Sequence, residues 1–145
     1  MPAAARSVSP AAHLDLQDVF DRNHAAWEAL DPDKIVALYA ADASFWVQGA
    51  PRIEGRAALR QHCAKLAAQF GRCGWDVHRL MFGDRHWVFE YDMLIDMKDR
   101  NGEAFTARVP MVDIVDVNDA GEVTRKDVFV DNEARQAAFQ RAGLV

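Results

Sequence analysis

Residues 86–131 read HWVFEYDMLIDMKDRNGEAFTARVPMVDIVDVNDAGEVTRKDVFVD, and they decide the fold. β-branched and aromatic residues dominate this stretch, and two turn-rich segments, one containing Asn101-Gly102, divide it into three extended runs. A fourth run precedes it, before the short connection Gly83-Asp84-Arg85. Because runs joined by such short connections pair with their neighbours, we predict one antiparallel meander with strands at 75–82, 86–97, 103–117 and 122–131.

The residues before this meander carry helical periodicity. Apolar residues between His13 and Leu30 recur at spacings of three and four, and Asp31-Pro32-Asp33 is typical of the start of a second, short helix. A strand is predicted at 43–48 and a third helix at 56–70. Three helices before a long meander predict an α+β domain whose helices cover one face of the sheet. The rest of that face then forms a pocket.

Length and charge limit the possible partners. The 145 residues suit one domain, which we place at 13–145 after a flexible tail at 1–12. The formal charge is −5 and the basic residues form no run longer than Arg125-Lys126, which argues against nucleic acid as a partner. No apolar stretch approaches the roughly 18 residues of a spanning helix, so we expect no membrane association and a cytoplasmic protein.

Cofactor and metal motifs do not occur in the sequence. Cys63 and Cys73 form no CxxC pair, and no GxGxxG, Walker, GxSxG or HExxH motif is present. We therefore expect no cofactor and no metal, so that any catalysis would depend on side chains alone.

Asp113 is the main candidate for catalysis. Alternate residues of a strand share a face, and Asp113 is the one charge in a row otherwise made of apolar residues, with Met111 and Val115 as its neighbours. A buried carboxylate without a partner would keep its proton, and a protonated acid can donate a hydrogen bond to a developing oxyanion. An Asp satisfied by backbone donors or by an arginine remains the alternative.

Two other runs carry candidate acids. In the second run, periodicity assigns Phe89 and Tyr91 to the core and Glu90 and Asp92 to solvent, but a covering dimer partner could reverse this assignment and bring Asp92 into the pocket. In the last run, Arg125 and Asp127 could pair beside Phe129, which would lower the carboxylate pKa and suit a base or a water-orienting group. An exposed ion pair at the sheet edge is the alternative.

Histidines and aromatic residues complete the candidates. His78 on the first run could shuttle protons, because histidine titrates near neutral pH, whereas His62 on the third helix is expected at the boundary of the core. An apolar pocket needs aromatic walls, for which Trp46, Phe129 and Tyr39 are candidates, with Tyr39 placed on the second helix.

These motifs resemble a known family. Trp27, Asp31-Pro32-Asp33, Tyr39-Ala40-Ala41-Asp42-Ala43 and Gly55-Arg56, followed by the meander, are similar to the SnoaL-like branch of the superfamily that contains ketosteroid isomerase, limonene epoxide hydrolase and nuclear transport factor 2. The resemblance implies a cone-shaped, strongly curved sheet with a ligand cavity between it and the helices, commonly in a homodimer.

The resemblance also implies roles for individual residues. Asp113 matches the oxyanion-binding aspartic acid of ketosteroid isomerase, a well-known case of a carboxylic acid that stays protonated at neutral pH. Asp92 and Asp127 match the two acids of limonene epoxide hydrolase, and His78 is similar to the strand histidine of scytalone-dehydratase-like members. Arg125 could orient the substrate between them.

Two classes of function follow. The first is a cofactor-independent acid–base enzyme of isomerase or lyase type acting on a small, mostly apolar substrate, with epoxide hydrolysis as the nearest rival. The second is a small-molecule-binding dimerisation module without turnover.

Overall fold

The computed structural model describes residues 14–145, so the flexible tail expected at 1–12 lies outside the described residues. Two helices, two strands and a third helix precede four long strands, and a fourth helix ends the chain. The elements are α1 (Leu16–Ala29), α2 (Pro32–Val36), β1 (Tyr39–Val47), β2 (Ile53–Glu54), α3 (Arg56–Gln69), β3 (Cys73–Phe82), β4 (His86–Lys98), β5 (Ala104–Val117), β6 (Val123–Val130) and α4 (Asn132–Arg141).

The strands form one six-stranded curved sheet in the order β2-β1-β6-β5-β4-β3. Strands β3 to β6 pair antiparallel with their neighbours in sequence, which confirms the predicted meander and the α+β class. β1 joins the sheet in parallel beside β6. This pairing was not predicted, because it depends on a contact between segments about 80 residues apart.

The first helices begin where the sequence indicates. The Asp15 side chain accepts from the Asp18 amide at the start of α1, and the Asp31 side chain accepts from the amides of Asp33 and Lys34 at the start of α2. However, α2 ends at Val36, so the placement of Tyr39 on that helix is wrong. Tyr39 begins β1, where it pairs with Val123 of β6.

Helix α4 was not predicted. Asp131 caps it by accepting from the Ala134 amide, but the helix sequence NEARQAAFQR contains a single large apolar residue, Phe139, and none of its residues is fully buried. Without a repeating apolar stripe, periodicity gives no helix signal here.

The concave face of the sheet and the helices enclose the core. Its buried members come from α1 to α3 and from every long strand except β3, and the most deeply buried include Val19, Ile35, Tyr39, Leu59, Val109, Val115 and Val123. The opposite, convex face carries no helix within residues 14–145. No helix in that part of the chain is long and apolar enough to cross a membrane.

Two β-bulges change the alternation of faces within the meander, and the pairing of β1 with β6 also shifts register between Tyr39 and Ser44. In β6, Val123 pairs with Val117 and Arg125 pairs with Asp116, so that Thr124 is an extra residue. In β3, His78 is extra between Val77 and Arg79. As a result Val123 and Lys126, three residues apart, both face the concave side, and Arg125 faces the convex side.

Candidate active site

A large apolar cavity of about 250 Å³ lies between the concave face and the helices. Aromatic and aliphatic side chains form most of its wall, and its polar members are His62, Gln69, Tyr91, Lys126 and Arg135. The apolar lining includes Trp27, Leu30, Phe45, Val47, Leu66, Phe70, Trp75, Met93, Ile95, Val109, Met111, Val128 and Phe139. This is the pocket that the α+β arrangement predicted.

A much smaller inner chamber of about 30 Å³ adjoins it. The two share Trp27, Trp75 and Lys126 in their walls. The inner chamber is the more polar of the two, because its wall includes Asn23, His24, Tyr39, Asp113 and Lys126. Lys126 therefore lies at the junction between the polar inner chamber and the large apolar cavity.

Asp113 lies in the wall of the inner chamber with only 4% of its surface exposed, as the alternation of faces along the strand predicted. The expectation that it lacks a partner is wrong. Lys126 Nζ lies 3.2 Å from one carboxylate oxygen, and the Tyr91 hydroxyl donates to the other at 2.9 Å. Asp113 pairs with Val128 in the register, so Lys126, two residues earlier, is its diagonal neighbour on the same face.

Lys126 is held as a cation. Its Nζ lies 4.3 Å from the centroid of the Trp27 ring and 5.9 Å from that of Phe45. Burial alone would lower the pKa of Lys126, but the Asp113 carboxylate and Tyr39 outweigh it, so the pKa lies above its usual value. An ammonium group has three donors, and Asp113 engages one of them.

Two tyrosines surround the pair. Burial, followed by the charge of Asp113, raises the pKa of Tyr91 well above its usual value, so this hydroxyl stays a donor. Burial also raises the pKa of Tyr39 against the opposing charge of Lys126. The Tyr39 hydroxyl has no hydrogen-bond partner within residues 14–145, although it is fully buried in the wall of the inner chamber.

His62 provides a neutral base in the large cavity. Its ring lies 5.3 Å from that of Phe45, which Lys126 also contacts. Burial, and then the charge of Lys65, lower the pKa of His62 below 6.5, so the side chain is uncharged at neutral pH. The sequence placed His62 at the boundary of the core, where it is found, but gave no indication that a cavity lies beside it.

Asp92 and His78 lie on the convex face, outside this cavity. His78 Nε2 is 3.1 Å from one Asp92 oxygen, and Arg108 contacts the other at 2.7 Å. The Arg108 hydrogen bond, opposed by partial burial, lowers the pKa of Asp92. The assignment from periodicity is therefore correct, and the reversed alternative for Asp92 is wrong. Both residues line an open depression of about 410 Å³ that also includes Glu90, Val112 and Phe129.

The same region offers three possible metal ligands. One ligand atom each from Asp76, His78 and Asp92 lies within 4.8 Å of the others. Arg108 already contacts both carboxylates at 2.7 Å and supplies the compensating positive charge. The geometry therefore does not require an ion here.

Asp127 and Arg125 also face the convex side, and they pair as predicted. Arg125 and Arg52 contact the two oxygens of Asp127 at 2.9 and 3.0 Å. These hydrogen bonds lower the pKa of Asp127 even though its partial burial acts in the opposite direction. Trp46 and Phe129 stack edge to face beside this pair, with ring centroids 5.3 Å apart. Their expected role as walls of the apolar cavity is wrong. The Thr124 bulge turns Phe129 to the convex side, and Trp46 alternates along β1 with Phe45 and Val47, which line the cavity.

The sequence of residues 20–126 matches the profile of the SnoaL-like domain. The chain belongs to the SnoaL-like domain family. No curated protein sequence matches it significantly.

Solved structures with the same fold are remote in sequence from this SnoaL-like domain. A candidate SnoaL-like polyketide cyclase from Shewanella denitrificans OS-217 has a TM-score of 0.75 at 11% identity, over 86% of this chain and 96% of the other. SalBIII, an epoxide hydrolase/cyclase-like enzyme with a role in pyran ring formation in the polyether salinomycin, has a TM-score of 0.69 at 17% identity. The match covers 82% of this chain and 92% of the other. An LEH-like epoxide hydrolase of Mycobacterium tuberculosis has a TM-score of 0.71 at 15% identity, over 89% of this chain and 92% of the other.

Among the sequence candidates, this SnoaL-like domain brings Asp113 and Tyr39 together beside the cavity. It separates them from Asp92 with His78 and from Asp127 with Arg125, which form two clusters on the convex face. Sequence reasoning missed Lys126. The signal was available, because Lys126, Val128 and Val130 alternate along one face of β6.

Proposed function

We propose that this SnoaL-like domain is a cofactor-independent acid–base enzyme of isomerase or lyase type for a small, mostly apolar substrate. The observation that carries the proposal is the buried Lys126–Asp113 pair at the junction of the two chambers. A charged donor in a water-poor cavity stabilises a developing oxyanion far better than the same donor in water.

Lys126 is the oxyanion-stabilising group in this proposal. A base removes a proton from the carbon next to a substrate carbonyl. The electron pair of the C–H bond forms a C=C bond to the carbonyl carbon, and the π electron pair of the C=O bond moves to the oxygen. The Lys126 ammonium group donates to that oxygen, which carries the new negative charge. Collapse of the enolate then returns the proton to another carbon in an isomerisation, or expels a leaving group in a lyase step.

His62 is the base that the cavity supports best. It is neutral at neutral pH and lines the same chamber as Lys126, while both side chains lie against Phe45. Two groups with opposite protonation at the same pH are what acid–base chemistry requires. Asp113 then holds the Lys126 ammonium group in position and keeps it charged, in place of the neutral-acid role that the resemblance implies.

Isomerisation of 3-cyclohexenone to its conjugated isomer, followed by ultraviolet absorbance, tests this proposal. The protein should accelerate it over buffer, the Lys126→Met variant should lose the acceleration, and the convex-face variant Asp92→Asn should keep it. Absence of both isomerisation and α-deuterium exchange in the wild-type protein would leave the binding module as the function.

The binding module without turnover is the second candidate, and one observation favours it. Asp113, Asp92 and Asp127 are each engaged by a cation within 3.2 Å, so none of the three proposed acids is free. Epoxide hydrolysis by Asp92 and Asp127 has less support, because both acids project from the convex face and away from the large cavity.

The homodimer is also a proposal, with the convex face as its interface. Exposed apolar side chains lie on this face, including Met81 at 49%, Ile114 at 41% and Phe129 at 41%. An exposed apolar patch can mark an interaction site, and we propose that these side chains form one. A cytoplasmic location agrees with the two cysteines, Cys63 and Cys73, which form no disulfide.

A further inference from the structure

The large cavity contains cations but no carboxylate in its wall. Among the residues that the structure describes, 14–145, its charged members are Lys126 and Arg135, and no Asp or Glu lines it. This contrasts with the chain as a whole, which carries a formal charge of −5. The two cations also differ in their surroundings, because Lys126 is paired with Asp113.

Arg135 has no such partner. It lies half-buried on α4 and takes part in no ion pair within residues 14–145. One terminal nitrogen donates to the Gln48 carbonyl at 3.3 Å and to the Asn132 side-chain oxygen at 2.7 Å. These contacts fix the guanidinium group beside the turn after β1. Nε and the other terminal nitrogen have no partner among those residues and remain available as donors.

From this arrangement we infer that the cavity takes an apolar molecule with one carboxylate group, and that Arg135 binds the carboxylate. The inference rests on the proposed function for the other end of the ligand, where Lys126 would receive the reacting oxygen. The planar guanidinium fork matches a carboxylate with two parallel hydrogen bonds, and the aromatic and aliphatic wall suits an uncharged body. A cavity of about 250 Å³ limits that body to a small molecule.

Isothermal titration calorimetry with octanoate and 1-octanol tests the inference, because the two ligands share a chain and differ in charge. Octanoate should bind about tenfold or more tightly than octanol at low salt. Arg135→Gln should abolish this preference and leave octanol binding unchanged, which also shows that the variant is folded. The matched control is Arg141→Gln on the same helix. Arg141 packs over the Phe105 ring at 4.1 Å and does not line the cavity.

Three results would overturn the inference. Octanoate could bind no more tightly than octanol, Arg141→Gln could reduce octanoate binding as much as Arg135→Gln, or octanoate could fail to bind at millimolar concentration. The readout is binding alone, so a positive result stands even if no turnover is found. Conversely, isomerase activity in a protein that prefers octanol would contradict only the carboxylate assignment.

Discussion

Lys126 Nζ lies 3.2 Å from a carboxylate oxygen of Asp113, and only 12% and 6% of the two side chains, respectively, are exposed to solvent. Two buried charges in contact depend on each other, because removing one leaves the other desolvated and unpaired. The pair joins β5 to β6 beneath the cavity, so it couples the stability of the sheet to the chemistry of the site.

The first prediction concerns stability. Asp113→Leu should lower the free energy of unfolding by about 3–5 kcal/mol, because it leaves the Lys126 ammonium group buried without a counter-charge. An unpartnered Asp113, as the sequence implied, would instead make the same substitution neutral or favourable. Urea unfolding measures the difference. The double variant Asp113→Leu/Lys126→Met should recover most of the loss, and failure to recover it would contradict the pairing.

The second prediction concerns catalysis. Lys126→Met should reduce kcat for 3-cyclohexenone isomerisation by about 10²–10³-fold, the usual effect of removing one oxyanion donor. Circular dichroism at the assay temperature checks that the variant is folded. Asp92→Asn, on the convex face, should retain wild-type kcat, and a comparable loss in Asp92→Asn would move the site to the convex depression.

The third prediction concerns pH. A base must be unprotonated to act, and burial, together with Lys65, lowers the pKa of His62 below 6.5. The value of kcat/KM should therefore rise as pH increases through a pKa below 6.5 and then stay level through neutral pH. His62→Gln should reduce the rate by about 10²–10⁴-fold, the usual contribution of a general base, and remove this acidic limb. An unchanged limb in His62→Gln would exclude His62 as the base.

The lowered pKa of His62 also affects the stability of the fold. His62 binds a proton less readily when folded, so below pH 6.5 the unfolded chain takes up more protons, and stability should fall as pH falls. His24, whose pKa burial also lowers against the opposing charge of Glu28, acts in the same direction. Urea midpoints between pH 7.5 and 5 should decline less in a His24→Gln/His62→Gln variant than in the wild type.

The fifth prediction concerns assembly. Sedimentation velocity at micromolar concentration should show a dimer, and Phe129→Glu should shift it toward monomer by placing a charge in the proposed interface. Leu144→Glu is the control, because Leu144 is similarly exposed at 45% but follows α4, away from the convex face. A wild-type monomer, or equal dissociation by both variants, would contradict the convex-face interface.

Alternation along the strands was enough to predict the meander and the inward position of Asp113, because pleating is a local property of the backbone. Other features depend on contacts that no local pattern records. Tyr39 was assigned to a helix because its parallel partner Val123 lies far along the chain. Alternation counted from Val123 would turn Arg125 and Asp127 inward, whereas the bulge at Thr124 turns Lys126 inward instead, beside Asp113.

The Thr124 bulge also indicates how such a cavity can diversify during evolution. Suppose that one residue is inserted after Thr124 while the pairing of Val123 with Val117 is kept. Every later residue of β6 then changes face, so that Arg125 and Asp127 turn inward and Lys126 turns outward. A single insertion could thus put Arg125 in the place of Lys126 and bring the carboxylate of Asp127 into the cavity wall in place of Val128, without any substitution. Changes of strand length offer this fold a route to new chemistry that an alignment of catalytic residues would not detect.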